Sequence, residues 1–191
     1  MKKVILLALA FTATLCANAQ RLIDGSLKNL TQIKAIQVVF EYKNAVVQGL
    51  PYAEFMEKEQ REFSNRNYKD FKDEWNRSLA PELLYRFIEG YNKIANRKDL
   101  PVFTSKKADY KLTVDYNRLD RNGQASAEYT FTDKGGRKIA VVQWDSPKGG
   151  TFGTFKNLIG DAGEKNGKDF AKFLSAKKVK RESNDDVFNR E

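Results

Sequence analysis

The side chains able to do acid–base or nucleophilic chemistry are few in kind. The 191 residues include no histidine and a single cysteine, Cys16. No Ser-His-Asp triad, Cys-His pair or imidazole-held metal can be assembled from them. Carboxylates remain as the acid–base groups, and Asp115 and Glu128 are the pair to weigh. They sit on the polar sides of two alternating segments joined through Asn122-Gly123. Folded as a hairpin, those segments put both acids on one face, diagonally near each other. Glycoside hydrolysis uses a carboxylate pair about 5–10 Å apart. No tryptophan or arginine cluster flanks this one, and acids on surface strands commonly face water. No feature of the pattern predicts the burial that would raise a working pKa. Trp75 and Trp144 are a conceivable ligand platform, but their periodic positions predict core.

Three other groupings invite functional readings. The run Gly149-Gly150-Thr151-Phe152-Gly153-Thr154 precedes a helix, where backbone N–H groups bind anions. A phosphate loop needs Gly-Lys-Ser/Thr at the helix start, and Thr154-Phe155-Lys156 stands there instead. A flexible strand-to-helix connection is the expectation. Gly163 and Gly167 are four apart and share a helix face, which reads as close packing on the protein's own sheet or as a dimer face. Lys165, Lys168 and Lys172 line one side of the same helix, with Lys177, Lys178, Lys180 and Arg181 following. Lys165, Lys168 and Lys172 are the candidate interaction surface for an acidic component, read against a solvated helix face that complements the macrodipole.

The elements that position these residues follow from periodicity. Ile36, Val38, Phe40 and Tyr42 alternate with less apolar residues, which predicts a strand over 36–43. Residues 20–34 are polar and mixed, and read as a lead-in. Asn44 to Pro51 reads as a loop or as a second short strand over Ala45-Val46-Val47, closed by Gly49 and Pro51. From Tyr52 to about Asn96 the apolar spacing is helical. Ser78 reads as an N-cap with Pro81 in the first turn of a helix over 79–96. A meander comes next. A two-residue turn at Asn122-Gly123 sets Tyr116 opposite Tyr129 and Val114 opposite Phe131. Lys134-Gly135-Gly136 turns into a strand over 138–144, whose inward face the pattern leaves open. A last helix is expected from about Thr154 to Ser175.

The first residues carry an address. Met1-Lys2-Lys3 is basic, Val4 to Cys16 is apolar, and Ala17-Asn18-Ala19 supplies the small residues of a cleavage site. This predicts a signal peptide over 1–19, cut between Ala19 and Gln20. Acylation at Cys16 is the competing reading, and Leu15 before it argues against that. Cleavage would remove Lys2, Lys3 and Cys16, leaving a basic chain without a thiol. No other segment has the ~20 apolar residues of a membrane span. The expected location is periplasmic or secreted.

The order is strand, helices, an Ala108-Asp109-Tyr110-Lys111-Leu112-Thr113-Val114 strand, a hairpin through Asp133-Lys134-Gly135-Gly136, then an amphipathic helix. It resembles the small α/β envelope module of the TolB amino-terminal domain and the curli-secretion lipoprotein. There an Ala-Asp-Tyr-led strand precedes a hairpin whose turn carries Asp and Gly. The chain departs from that pattern in its first strand, which lacks an apolar-then-Pro-Phe ending, and in having no lipobox. The resemblance implies a non-catalytic module for assembly or partner contact and carries over no catalytic residue.

These readings predict one α+β (or α/β) domain over 20–181, with a flexible tail over 182–191. Its sheet is expected to be mostly antiparallel, four- to five-stranded, with helices packed on one face. The expected function is that of an exported, non-enzymatic envelope protein contacting a protein or an acidic surface component. Neither cofactor nor nucleic acid is expected, and the oligomeric state is not readable. A small carboxylate-based hydrolase or carbohydrate-binding domain is the alternative.

Overall fold

A computed structural model describes residues 20–65 and 70–188. The expected signal peptide, its cleavage site and Cys16 therefore lie outside the described residues, apart from Gln20. The strands are β1 (Gln20–Gly25), β2 (Ala35–Glu41), β3 (Val46–Val47), β4 (Leu50–Pro51), β5 (Val102–Thr104), β6 (Tyr110–Leu119), β7 (Ala125–Thr132) and β8 (Lys138–Ser146). The helices are α1 (Tyr52–Asn65), α2 (Phe71–Glu74), α3 (Ala80–Ala95) and α4 (Phe155–Phe188). A 3-10 helix (Leu27–Gln32) follows β1, and a π-helix (Trp75–Leu79) joins α2 to α3.

The sheet corrects the expected architecture. It has eight strands and is mixed, not a four- to five-stranded, mostly antiparallel one. Its order is β1-β8-β7-β6-β2-β5, with β3 beside the end of β6 and β4 beside β3. β2 lies parallel to both β5 and β6, whereas β6, β7, β8 and β1 are antiparallel neighbours. The extra strands come from residues with no alternating apolar signal. β1 is an edge strand in the stretch expected as a lead-in, with little to bury. β5 is three residues long.

The core sits between one sheet face and the pair α3 and α4. Ile36, Val38, Leu112, Val114, Tyr129, Phe131, Val142 and Trp144 are each at most 2% exposed. Phe170 of α4 is the hub, its ring within about 6.4 Å of Phe87, Tyr91, Phe103, Tyr129, Phe131 and Trp144. A second aromatic group, Tyr42, Tyr52, Phe55, Phe71, Trp75 and Phe155, ties α1 and α2 to the start of α4.

The helix expected to start at Ser78 has no break there. Asp70 is the N-cap, its side chain accepting from the Lys72 and Asp73 amides, and helical backbone continues over 71–95. Pro81 has no amide hydrogen, so a normal helical ladder would lose a bond at this point. The π-turn absorbs the mismatch: the Ala80 amide donates to the Trp75 carbonyl, five residues back. α4 runs to Phe188, past the end expected at Ser175.

The hairpin register differs from expectation by two residues. Tyr116 faces Ala127, Val114 faces Tyr129, and Leu112 faces Phe131. The turn is wider than Asn122-Gly123: the Asp120 amide donates to the Gln124 carbonyl, and a bulge falls between Tyr116 and Arg118. An even shift preserves the face of every side chain, so the apolar set still points inward. In β8 the open register resolves with Ala140, Val142 and Trp144 inward, while Val141 is 2% exposed on the other face.

Candidate interaction surface

The sheet face away from α3 and α4 is built by the second member of each alternating pair. One row crosses it in register: Glu41 of β2 beside Asp115 of β6, Asp115 beside Glu128 of β7, Glu128 beside Gln143 of β8, and Gln143 beside Arg21 of β1. The neighbouring row is Val39, Thr113, Thr130 and Val141. No helix among the described residues packs over these rows.

Asp115 and Glu128, expected as diagonal neighbours, are therefore directly opposite each other, and Glu41 makes the group a run of three acids. Sequence reasoning missed Glu41, because its place beside Asp115 depends on the parallel pairing of β2 with β6. Like charges side by side on adjacent strands repel. The Asp115 carboxyl is pushed up from the ordinary range, first by its partial burial, then by Glu41 and Glu128. The Thr130 hydroxyl donates to Glu128 Oε1 at 3.2 Å. Arg118 pairs with Asp120 instead of with the row. Glu41, Asp115 and Glu128 form a strip of negative charge on a pleated surface, suited to receiving ammonium or guanidinium groups.

Lys165, Lys168 and Lys172 are each engaged within the chain. Lys168 Nζ lies 2.7 Å from Glu164 Oε1 and Lys172 Nζ lies 2.8 Å from Asp169 Oδ1. Lys165 Nζ donates to the Gly149 carbonyl at 2.9 Å. Glu164 also bridges to Lys93 of α3, and the two lysines hold its carboxyl down at about 2.

Gly163 and Gly167 are occupied by α3. A Cβ on Gly167 would lie 2.1 Å from the Phe87 carbonyl oxygen, and one on Gly163 would lie 2.8 Å from that of Leu83. Gly90 of α3 returns the contact: its Cβ would meet the Glu164 carbonyl oxygen at 2.2 Å. The close approach is thus between helices, whereas the spacing reads as packing on the sheet or as a dimer face.

The Gly149–Thr154 stretch links β8 to α4. The Gly149 amide donates to the Asn122 carbonyl, and Thr154 Oγ1 accepts from the Asn157 amide at 3.3 Å. Phe152 at its tip is 93% exposed. Trp75 and Trp144 are both buried, so neither offers a ligand platform. A recess of about 280 Å³ is lined by Tyr52, Ala53, Met56, Glu57, Lys72 and Asn76, and neither Asp115 nor Glu128 reaches it. No group of three or more Cys, Asp or Glu side chains suited to a metal occurs among the described residues.

Comparison with protein-family models, with curated proteins and with solved structures gave no match. No helix among the described residues is long and apolar enough to cross a membrane.

Proposed function

We propose that this protein is an exported, non-enzymatic envelope module that holds a basic segment of a partner protein on its open sheet face. The observation that carries the reading is the cross-strand row of Glu41, Asp115 and Glu128 on a chain of net charge +9. Three acids kept side by side raise the energy of the free surface, and a cationic partner relieves that repulsion. The absence of histidine and the apolar start after Lys2-Lys3 support the non-catalytic and exported parts of the reading. So does the resemblance to the TolB and curli-secretion type of module. The partner differs in sign from the acidic component suggested by Lys165, Lys168 and Lys172: each of those has a partner within the chain, whereas Glu41, Asp115 and Glu128 make no ion pair among the described residues.

The test is a titration of the isotope-labelled protein with a synthetic lysine-rich peptide, followed by amide chemical shifts. Shifts confined to β2, β6 and β7 are expected, weakening with salt. Affinity should fall about tenfold or more in a Glu41→Gln, Asp115→Asn, Glu128→Gln triple variant. Equal binding by that variant overturns the reading. Release of reducing sugar from a polysaccharide that depends on Asp115 or Glu128 would establish the hydrolase instead.

A further inference from the structure

The two outer edges of the sheet are treated differently. At β5 the Asn92 side chain closes the edge like a strand: its Nδ2 donates to the Phe103 carbonyl and its Oδ1 accepts from the Phe103 amide, both at 2.9 Å. At β1 nothing among the described residues pairs with the outer side. In an antiparallel ladder every second residue of such a strand directs its N–H and C=O outward. Gln20, Arg21, Asp24 and Gly25 are exposed, and Ile23 is a large apolar residue left 42% exposed.

The order Arg21-Leu22-Ile23-Asp24 reads as its own complement: cation, apolar, apolar, anion. In a regular strand this would not work, since residues three apart point to opposite faces. Here the register slips between Leu22 and Asp24, so Arg21 stands over Gln143 and Asp24 over Val141. Gln143 and Val141 share the open face, and the bulge therefore brings Arg21 and Asp24 onto that same face. Neither makes an ion pair among the described residues.

We infer that β1 pairs antiparallel with β1 of a second copy of this chain, about a two-fold axis between Leu22 and Ile23. Arg21 of each copy then meets Asp24 of the other, and Leu22 meets Ile23. The two sheets join edge to edge into one, and the exposed Ile23 is covered. A two-fold contact of this kind is isologous and closes on itself, so the product is a dimer and not a filament. The edge is short, so association is weak and governed by concentration. This inference rests on β1 alone and stands apart from the partner on the sheet face.

Sedimentation equilibrium on the full chain, expressed with residues 1–19 and purified as it accumulates, tests it. A monomer–dimer equilibrium is expected, with a dissociation constant that rises with salt. Arg21→Glu and Asp24→Arg should each weaken dimerisation about tenfold, since both ion pairs turn into repulsions. The Arg21→Glu, Asp24→Arg double variant should restore it to within about threefold of the unchanged protein. Unchanged melting of each single variant checks that β1 remains folded. A chain that stays monomeric up to about 1 mM overturns the inference. So does a dimer indifferent to the single variants, or one that the double variant fails to restore.

Discussion

The indole Nε1 of Trp144 donates to Asn166 Oδ1 at 2.6 Å, deep between the sheet and α4. Asn166 is 3% exposed, and its Nδ2 donates in turn to the Tyr129 hydroxyl at 2.8 Å. One helix amide thus satisfies two buried groups on neighbouring strands and fixes how α4 sits on β7 and β8. An unmade bond in such a place costs more than a made one contributes. Asn166→Ala is expected to destabilise the fold by about 2–4 kcal/mol in urea unfolding, because it orphans Trp144 and adds a small cavity. Combining Asn166→Leu with Trp144→Phe and Tyr129→Phe should recover part of that loss, as no buried polar group is then left alone.

The interlock of Gly90, Gly163 and Gly167 predicts a steep contrast among glycines of one helix. Gly167→Ala puts a methyl group 2.1 Å from a backbone oxygen that cannot rotate away. A loss of about 2 kcal/mol or more is expected, as for overpacked cores. Gly160→Ala meets only the flexible Glu82 and Arg86 side chains, at 3.5 Å or beyond. It should stabilise by up to about 1 kcal/mol through helix propensity. Thermal melts of the two variants check both signs.

Two carboxyl groups give opposite pH dependence. Glu164 is lowered from 4.5 to about 2 by Lys168 and then Lys93. Its contribution is present above about pH 4.5 and is lost as pH falls toward about 2. Glu164→Gln should therefore flatten the acid limb of stability. Asp115 is raised, so its ionised form opposes folding at neutral pH and the strain eases as pH falls through its folded pKa. Asp115→Asn should melt higher than the unchanged protein at pH 7, with the difference vanishing in acid.

Export with cleavage between Ala19 and Gln20, as proposed, predicts a definite mass. Intact-mass measurement of the periplasmic or secreted form should correspond to a chain starting at Gln20. A mass including Met1, or one carrying acyl groups on Cys16, would contradict cleavage between Ala19 and Gln20.

Much of this architecture was legible where burial and periodicity coincide. The alternation of Ile36, Val38 and Phe40, the stripe from Leu83 to Ala95, and the face of Tyr116 and Tyr129 all follow from one side being wet. The sequence was silent where pairing is long-range or burial is one-sided. β1 has a polar pattern because it is an edge, and β2 meets β6 only after the chain has passed through α1, α2 and α3. Glu41 accordingly joins Asp115 without any local signal. Asn166 gave none either, since a lone amide on a helix has no period. The π-turn at Trp75–Leu79 left its trace in Pro81, which equally suits a helix start.

The proposed role of the open face turns on whether Glu41, Asp115 and Glu128 meet positive charge there. The most direct measurement is the titration of the Asp115 carboxyl by carbon-detected NMR, alone and saturated with a lysine-rich peptide. The midpoint of the free protein should lie above the ordinary aspartate value, and bound ammonium groups should draw it down. An ordinary midpoint in the free protein, or one that the peptide leaves unmoved, would contradict the assignment of this face as the docking surface.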